Sequence, residues 1–290
     1  MSKTKSRTKP KTKSKTKLKI KSKTKWWRDK FNLFTVGFTY IITFCIFVTI
    51  MTVIFKGLPS IKEALLTKEI QFSIKLSLYT SIISTVCCIL ISIPIAYVLA
   101  RVDVQGKQFL NILLDLPLAL PPVVSGVCLL LIFGTTSFGA WLEDIGFGFV
   151  FTVKGVIISQ IFVNLSFMIR VLKSTILAIN PRLDFIARTL GCTPIQTFLK
   201  VTLPLSKNGI IAGTVITWAR ALGEFGAALM LAGATRLRTE TLPISLFLNM
   251  STGDMDAAMA AANILIIISV ISLFVFNKYG GDFIGGSRVN

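Results

Sequence analysis

The sequence predicts an all-α polytopic membrane protein with six transmembrane helices. Of its 290 residues 53% are hydrophobic, and the mean hydropathy is +0.73, well above that of a soluble domain. The apolar residues fall in long uninterrupted blocks, several reaching the roughly 20 residues that a helix needs to cross a hydrocarbon layer. Histidine is absent, which removes imidazole bases, Ser/His/Asp triads and His-based metal sites, and with them most enzyme classes. The five cysteines form no Cys-x-x-Cys pair, and four of them, Cys45, Cys87, Cys88 and Cys128, lie inside apolar blocks as packing residues.

Residues 1–30 form a tail in which Lys or Arg recurs 14 times against a single acid, Asp29. A Lys-Thr/Ser repeat has nothing to bury, so a disordered cytoplasmic segment beside anionic lipid is expected. It shows no apolar core or cleavage site of a signal peptide. No aromatic residue interleaves with its lysines before Trp26 and Trp27, which argues against nucleic-acid binding and reads as an interfacial belt.

The transmembrane body follows over 31–280, with a short tail at 281–290. Spans one (34–55) and two (76–100) carry no charge. Span three (110–133) holds Asp115 near its start and Pro117, Pro121 and Pro122 within it, so it must be kinked or broken. Span four (153–172) is bounded by Lys154 and Arg170, whose long side chains can reach the interfaces. Span five (209–231) contains Arg220 and Glu224, and span six (257–276) is uncharged. The basic residues concentrate in the tail, after span two, in the loop 173–208 and at the C-terminus, so the positive-inside rule places both termini in the cytoplasm.

The loop 173–208 carries helix signals. Asn180-Pro181 is a start, with Leu183, Ile186, Ala187 and Leu190 at helical spacing and Gly191 placed to end the helix. Thr193, Pro194 and Gln196 repeat the start as a capping box, and the second helix is expected to stop at Leu203-Pro204. Such a pair could lie on the membrane surface or grip a partner protein.

Two pathway candidates stand inside the membrane. Arg220 and Glu224 are four residues apart, on one face of a continuous helix, and at that depth must meet protein, water or each other. A packing ion pair and an anion gate are both open. Gly209, Gly213, Gly223, Gly226 and Gly233 fit a closely packed span. In span three, a helix restarting at Pro122 would leave amides free near Val124 and Ser125, a place for an oxyanion; Pro121, Pro122, Ser125 and Gly126 then line the route, unless the prolines only kink the helix.

The spacing of Gly191, nine residues, and Val201-Thr202-Leu203-Pro204 resembles the cytoplasmic loop of ATP-binding-cassette importer permeases. The match covers Ala187, Arg188, Gly191, Leu203 and Pro204; Phe185 and Ile186 stand where that family usually has Glu and Ala, and Asp184 is the candidate substitute for the acid. The resemblance implies that this element is a coupling helix docking on an ATPase subunit. With Pro117 to Gly126, Ala219-Arg220-Ala221-Leu222-Gly223-Glu224-Phe225-Gly226-Ala227, Leu231-Ala232-Gly233 and Arg238-Thr239-Glu240-Thr241-Leu242-Pro243, the chain over about 72–276 is similar to molybdate/tungstate permeases, close kin of sulfate permeases. That implies a type I ABC importer permease fold, a homodimer, two ATPase subunits that bind ATP and Mg²⁺ outside this chain, an external substrate-binding protein, and a prokaryotic plasma membrane. No P-loop is present, since Gly106-Lys107 is followed by Gln108, so the chain itself is non-catalytic and holds no cofactor or metal. The alternatives are a sulfate/thiosulfate permease and, from a different class, an ion-gradient carrier for which only Asp115 and Glu224 could serve as coupling carboxylates.

Overall fold

The computed structural model describes residues 30–280, with side chains from 32 to 274; the expectations for the lysine tail, Trp26, Trp27 and residues 281–290 lie outside them. The chain divides into two compact units, 1–53 and 54–290. In the first, helix α1 (Lys30–Gly57) begins and continues into the second unit's first residues. Its hydroxyls bond back one turn, as in Thr39 to Thr35 O and Thr43 to Thr39 O, so an apolar helix carries no unmet polar group at these positions.

The second unit is built around α3 (Lys68–Arg101) and α7 (Val153–Ala178), which pack along most of their lengths. The buried residues of α3 are mostly small and many are polar, among them Ser73, Ser77, Ser81, Ser84 and Ser92, and Cys88 Sγ comes within 3.8 Å of Ile161 O on α7. The serine hydroxyls are spent locally, Ser84 on Ser81 O and Ser92 on Ile89 O. This is packing by close approach, suited to a medium as apolar as Leu itself. A short helix α2 (Ile61–Leu66) precedes α3. Helix α14 (Met255–Gly280) closes the unit, and Asn263 donates to Ile54 O at 3.2 Å.

The crossings agree with the expected six when each bent pair counts as one span, four being continuous. Their limits differ. Span two starts at Lys68 rather than residue 76, and span four runs to Ala178 rather than 172, so the connecting loop is 179–206 and not 173–208. Arg170 and Lys173 did not end the helix because α4 (Lys107–Ala119) supplies partners for both: Asp115 to Arg170 at 3.1 Å and Asn111 to Lys173 at 2.6 Å. Span three breaks at Leu120-Pro121, where α5 (Pro122–Thr135) leaves at 109° to α4, with proline at its first position. It is followed by a short helix, α6 (Ser137–Asp144).

Span five, expected to be continuous, is also broken: α11 (Lys207–Leu222) and α12 (Gly226–Ala232) meet at 56° across Gly223-Glu224-Phe225. The stretch that follows is folded into the unit. Glu240 is fully buried, accepting from Leu237 N at 3.1 Å beside Arg236, and an apolar helix α13 (Leu242–Ser251) follows. Ser77 of α3 receives the Leu242 amide at 2.7 Å, meeting a donor that a helix start leaves free.

Candidate translocation and docking site

The two helix breaks face each other. On α5 the first helical bond runs from Ser125 N to Pro121 O at 3.1 Å, so of the two amides expected to be free, near Val124 and Ser125, that of Ser125 is spent. The Val123 amide ahead of them is covered by α12: a Cβ on Gly226 would lie 3.1 Å from Val123 N. Ser125 is fully buried and its hydroxyl has no partner among the described residues, so in this conformation it lines no open route. Gly126 is the contact residue, since a Cβ there would stand 2.8 Å from Ala227 Cα and O. Overpacking a tight contact costs roughly 1–3 kcal/mol. Gly126→Val is therefore expected to lower the thermal midpoint of the purified protein by several degrees in fluorescence-detected size exclusion; an unchanged midpoint would show that the two breaks do not bear on each other.

The Arg220 and Glu224 side chains do not form the expected i,i+4 pair, because α11 ends at Leu222, between them. Glu224 is buried at the start of α12, where Oε1 accepts from Ala227 N at 3.0 Å. Arg220 turns the other way. Its Nε donates to Asn164 Oδ1 at 3.2 Å, and its guanidinium lies 5.3 Å over the Phe167 ring, both on α7. The residue remains exposed, and its two terminal nitrogens have no hydrogen-bond partner among the described residues. Held by an amide on one side and an aromatic face on the other, it presents a planar fork of donors to whatever fills the space beside it.

Sequence reasoning missed the support for this site. Gln160 on α7, nearly fully buried, donates to Ala221 O at 2.9 Å and lies 3.3 Å from Thr80 Oγ1. It adds a second donor to a carbonyl at the end of α11 that also accepts from Glu224 N at 3.3 Å. Asn164 in turn donates to Gln160 O at 2.8 Å, which leaves its oxygen for Arg220. The signal was present as two amides four residues apart in an otherwise apolar span.

The loop contains the two expected helices. In α8 (Arg182–Thr189), Asn180 Oδ1 accepts from Arg182 N, so the start lies one residue later than expected. Gly191, at φ +89°, allows the Cys192 N to Ala187 O and Gly191 N to Arg188 O bonds that close the helix end. Ala187 is buried there, and Arg188 is exposed. The capping box of Thr193 and Gln196 opens α9 (Pro194–Thr197). The helix does not stop at Leu203-Pro204. A π turn over Phe198–Thr202 lets Leu203 N reach Phe198 O, and the chain continues through α10 (Leu203–Leu205) toward α11. Proline cannot bond the carbonyl four residues back and crowds it; a widened turn relieves that clash.

Asp184 does not sit at the exposed surface. It pairs with Arg101 at 3.0 Å and accepts from Thr202 Oγ1 at 2.9 Å, while Arg101 also donates to Ile179 O at 2.7 Å. The acid thus ties α8 to the end of α3 and to the π turn. Around Gly191 the apolar side chains of Phe185, Ile186, Leu190, Ile195 and Leu199 are all exposed.

Residues 89–280 match the family model described as "Binding-protein-dependent transport system inner membrane component". The chain belongs to this family. Among its relatives, the molybdenum transport system permease protein ModB of Mycobacterium tuberculosis is 37% identical over 214 residues, covering 73% of this chain and 81% of that one. The molybdate/tungstate transport system permease protein WtpB of Methanocaldococcus jannaschii is 30% identical, covering 87% and 98%. The sulfate transport system permease protein CysT of Escherichia coli is 29% identical, covering 78% and 82%. In fold, a bacterial ABC transporter involved in the import of the polysaccharide alginate superposes with a TM-score of 0.69 at 22% identity, covering 90% of this chain and 97% of that one. The permease is therefore the multi-pass, membrane-embedded subunit of an ABC importer, served by a substrate-binding protein, and is not itself a catalyst. Family membership sets aside the ion-gradient carrier.

Proposed function

We propose that the permease forms the import pathway for a tetrahedral oxyanion, molybdate or tungstate, as a homodimer that two ATPase subunits drive. The observation that carries this reading is Arg220. It lies about 20 Å along α11 from Lys207, counting 1.5 Å per residue, which is near the middle of a hydrocarbon layer. An exposed guanidinium facing lipid there would cost at least about 2.5–3.5 kcal/mol, so the space beside it holds water, a second copy of the chain, or both. Fixed by Asn164 and Phe167, with terminal nitrogens free, it suits a dianion in transit. The substrate names of ModB and WtpB support molybdate and tungstate; that of CysT keeps sulfate as the second reading.

In this arrangement the N- and C-termini and the loop 179–206 face the cytoplasm. The outward apolar residues around Gly191 dock on the ATPase, with Arg188 at their edge and Asp184, Ala187, Leu203 and Pro204 shaping the loop from within. ATP and Mg²⁺ belong to that partner. The test is uptake into proteoliposomes holding the permease, its ATPase and its binding protein. ATP-dependent uptake of tungstate or molybdate that excess sulfate fails to suppress is expected; preferential sulfate uptake would transfer the assignment to the second reading, and uptake of none of the three would end it.

A further inference from the structure

On α7 an i,i+3 ridge runs from the residues that hold Arg220 toward the loop. Asn164, Phe167 and Arg170 succeed one another at three-residue steps, so Arg170 lies roughly one turn beyond the ring under Arg220, about 4.5 Å along the axis, and Lys173 about as far again. Arg170 is still eight residues short of the helix end at Ala178, about 12 Å inside it. Its partner Asp115 lies at 3.1 Å, and the two side chains are 57% and 44% exposed. Lys173 donates to Asn111 Oδ1, whose amide group is anchored on Lys107 O at 2.7 Å. Gln108, Asn111 and Asp115 share one face of α4 and line a concavity of about 360 Å³. Nothing on α4 is buried in the protomer.

A half-exposed ion pair about 12 Å inside the helix end is costly against lipid, so the space beside it holds water or another chain. Arg170 is the i,i+3 neighbour of Phe167, the ring under Arg220, which places the pair beside the same space. The group as a whole, Asp115 with Arg170 and Lys173, has one positive charge in excess. A dianion would be attracted to it, yet would have to compete with a carboxylate already in place. That is the balance a conducting site requires, favourable enough to be occupied and weak enough to be left.

We propose that Arg170 and Lys173 form a second oxyanion station between Arg220 and the cytoplasm, in which Asp115 is a resident counter-anion that the passing dianion displaces. The station rests on the oxyanion reading above. Its distinguishing consequence is that the two members of one ion pair act in opposite directions. In equilibrium binding of tungstate to the complete transporter without binding protein, Asp115→Asn is expected to tighten binding about tenfold and Arg170→Gln to weaken it about tenfold, the size of one partly screened charge contact. Arg170→Lys, which keeps the charge, is expected to stay within about threefold of the parent protein. In proteoliposomes Asp115→Asn is expected to lower both the maximal uptake rate and KM, because release slows.

A purely structural strut would behave otherwise: both substitutions would impair binding and uptake alike, and the exchanged pair Asp115→Arg with Arg170→Asp would restore them. That pattern overturns the station, as does the absence of saturable binding to both the parent and the Asp115→Asn transporters. Should the parent protein import tungstate while the two substitutions shift together, the station alone falls. Should it import no oxyanion, the proposed function falls and takes the station with it.

Discussion

Replacing Arg220 with Gln is expected to abolish oxyanion uptake, by about two orders of magnitude or more, while the protein still inserts, assembles with its ATPase and hydrolyses ATP. The magnitude follows from what is removed: a fixed cationic donor in a low-dielectric path, of a kind whose loss costs roughly 2–5 kcal/mol when it is engaged by an opposite charge. Folding is expected to suffer far less. Arg220 makes one side-chain hydrogen bond, to Asn164, and one ring contact, to Phe167, and the break in span five is held by other groups, Gln160 on Ala221 O and Glu224 on Ala227 N. Arg220→Lys separates the roles further, because an ammonium keeps the charge but loses the fork and the stacking geometry; partial uptake is expected. Proteoliposome uptake of tungstate, normalised to assembled complex, decides the matter. Near-normal uptake by Arg220→Gln would remove the central support for an anion path beside α11.

How much of this site was legible in the sequence differs between the two helix breaks. The first was visible because proline acts locally. Pro121 and Pro122 forbid a continuous helix whatever surrounds them, and the restart at Pro122 follows from the chemistry of the ring. The second was hidden. Gly223 and Gly226 serve a packed continuous span as readily as a broken one, and the choice was made by contacts from afar, chiefly Gln160 of α7 on Ala221 O. The i,i+4 reading of Arg220 and Glu224 assumed a continuous helix and failed with it.

Arg170 shows the same limit. A basic residue near a span's end reads as reaching for the interface, and only the placement of α4 reveals Asp115 opposite it. The loop helices, by contrast, were legible in local signals except at the end of the second, which runs on through Leu203-Pro204. The capping box at Thr193 and Gln196 and the left-handed glycine at 191 operate within a few residues of themselves. What local signals could not disclose was the direction each side chain takes, inward for Asp184 and outward for Phe185.

That inward acid gives the second large effect. Asp184→Ala is expected to uncouple ATP hydrolysis from uptake, lowering transport per ATP about tenfold or more, with a destabilisation of about 3 kcal/mol, the lower end of the cost of leaving one member of a buried pair alone. The side chains of Arg101 and Asp184 are only 9% and 14% exposed, so the deserted guanidinium has little water to turn to. Removing Asp184 also frees the Thr202 hydroxyl at the π turn, so α8 loses its ties to α3 and to the segment leading into α11 together. Motion imposed on the exposed apolar surface would then be absorbed in the loop rather than delivered to Arg220, which sits at the far end of α11. The double substitution Arg101→Leu with Asp184→Leu tests this division. It removes the unpaired charge, so thermal stability is expected to recover much of its loss, yet the positional lock is gone and transport per ATP is expected to stay low. If the double variant regains coupled uptake, the pair matters only as buried charge; if Asp184→Ala alone keeps normal stability and normal uptake per ATP, the inward acid has no part in transmitting the stroke.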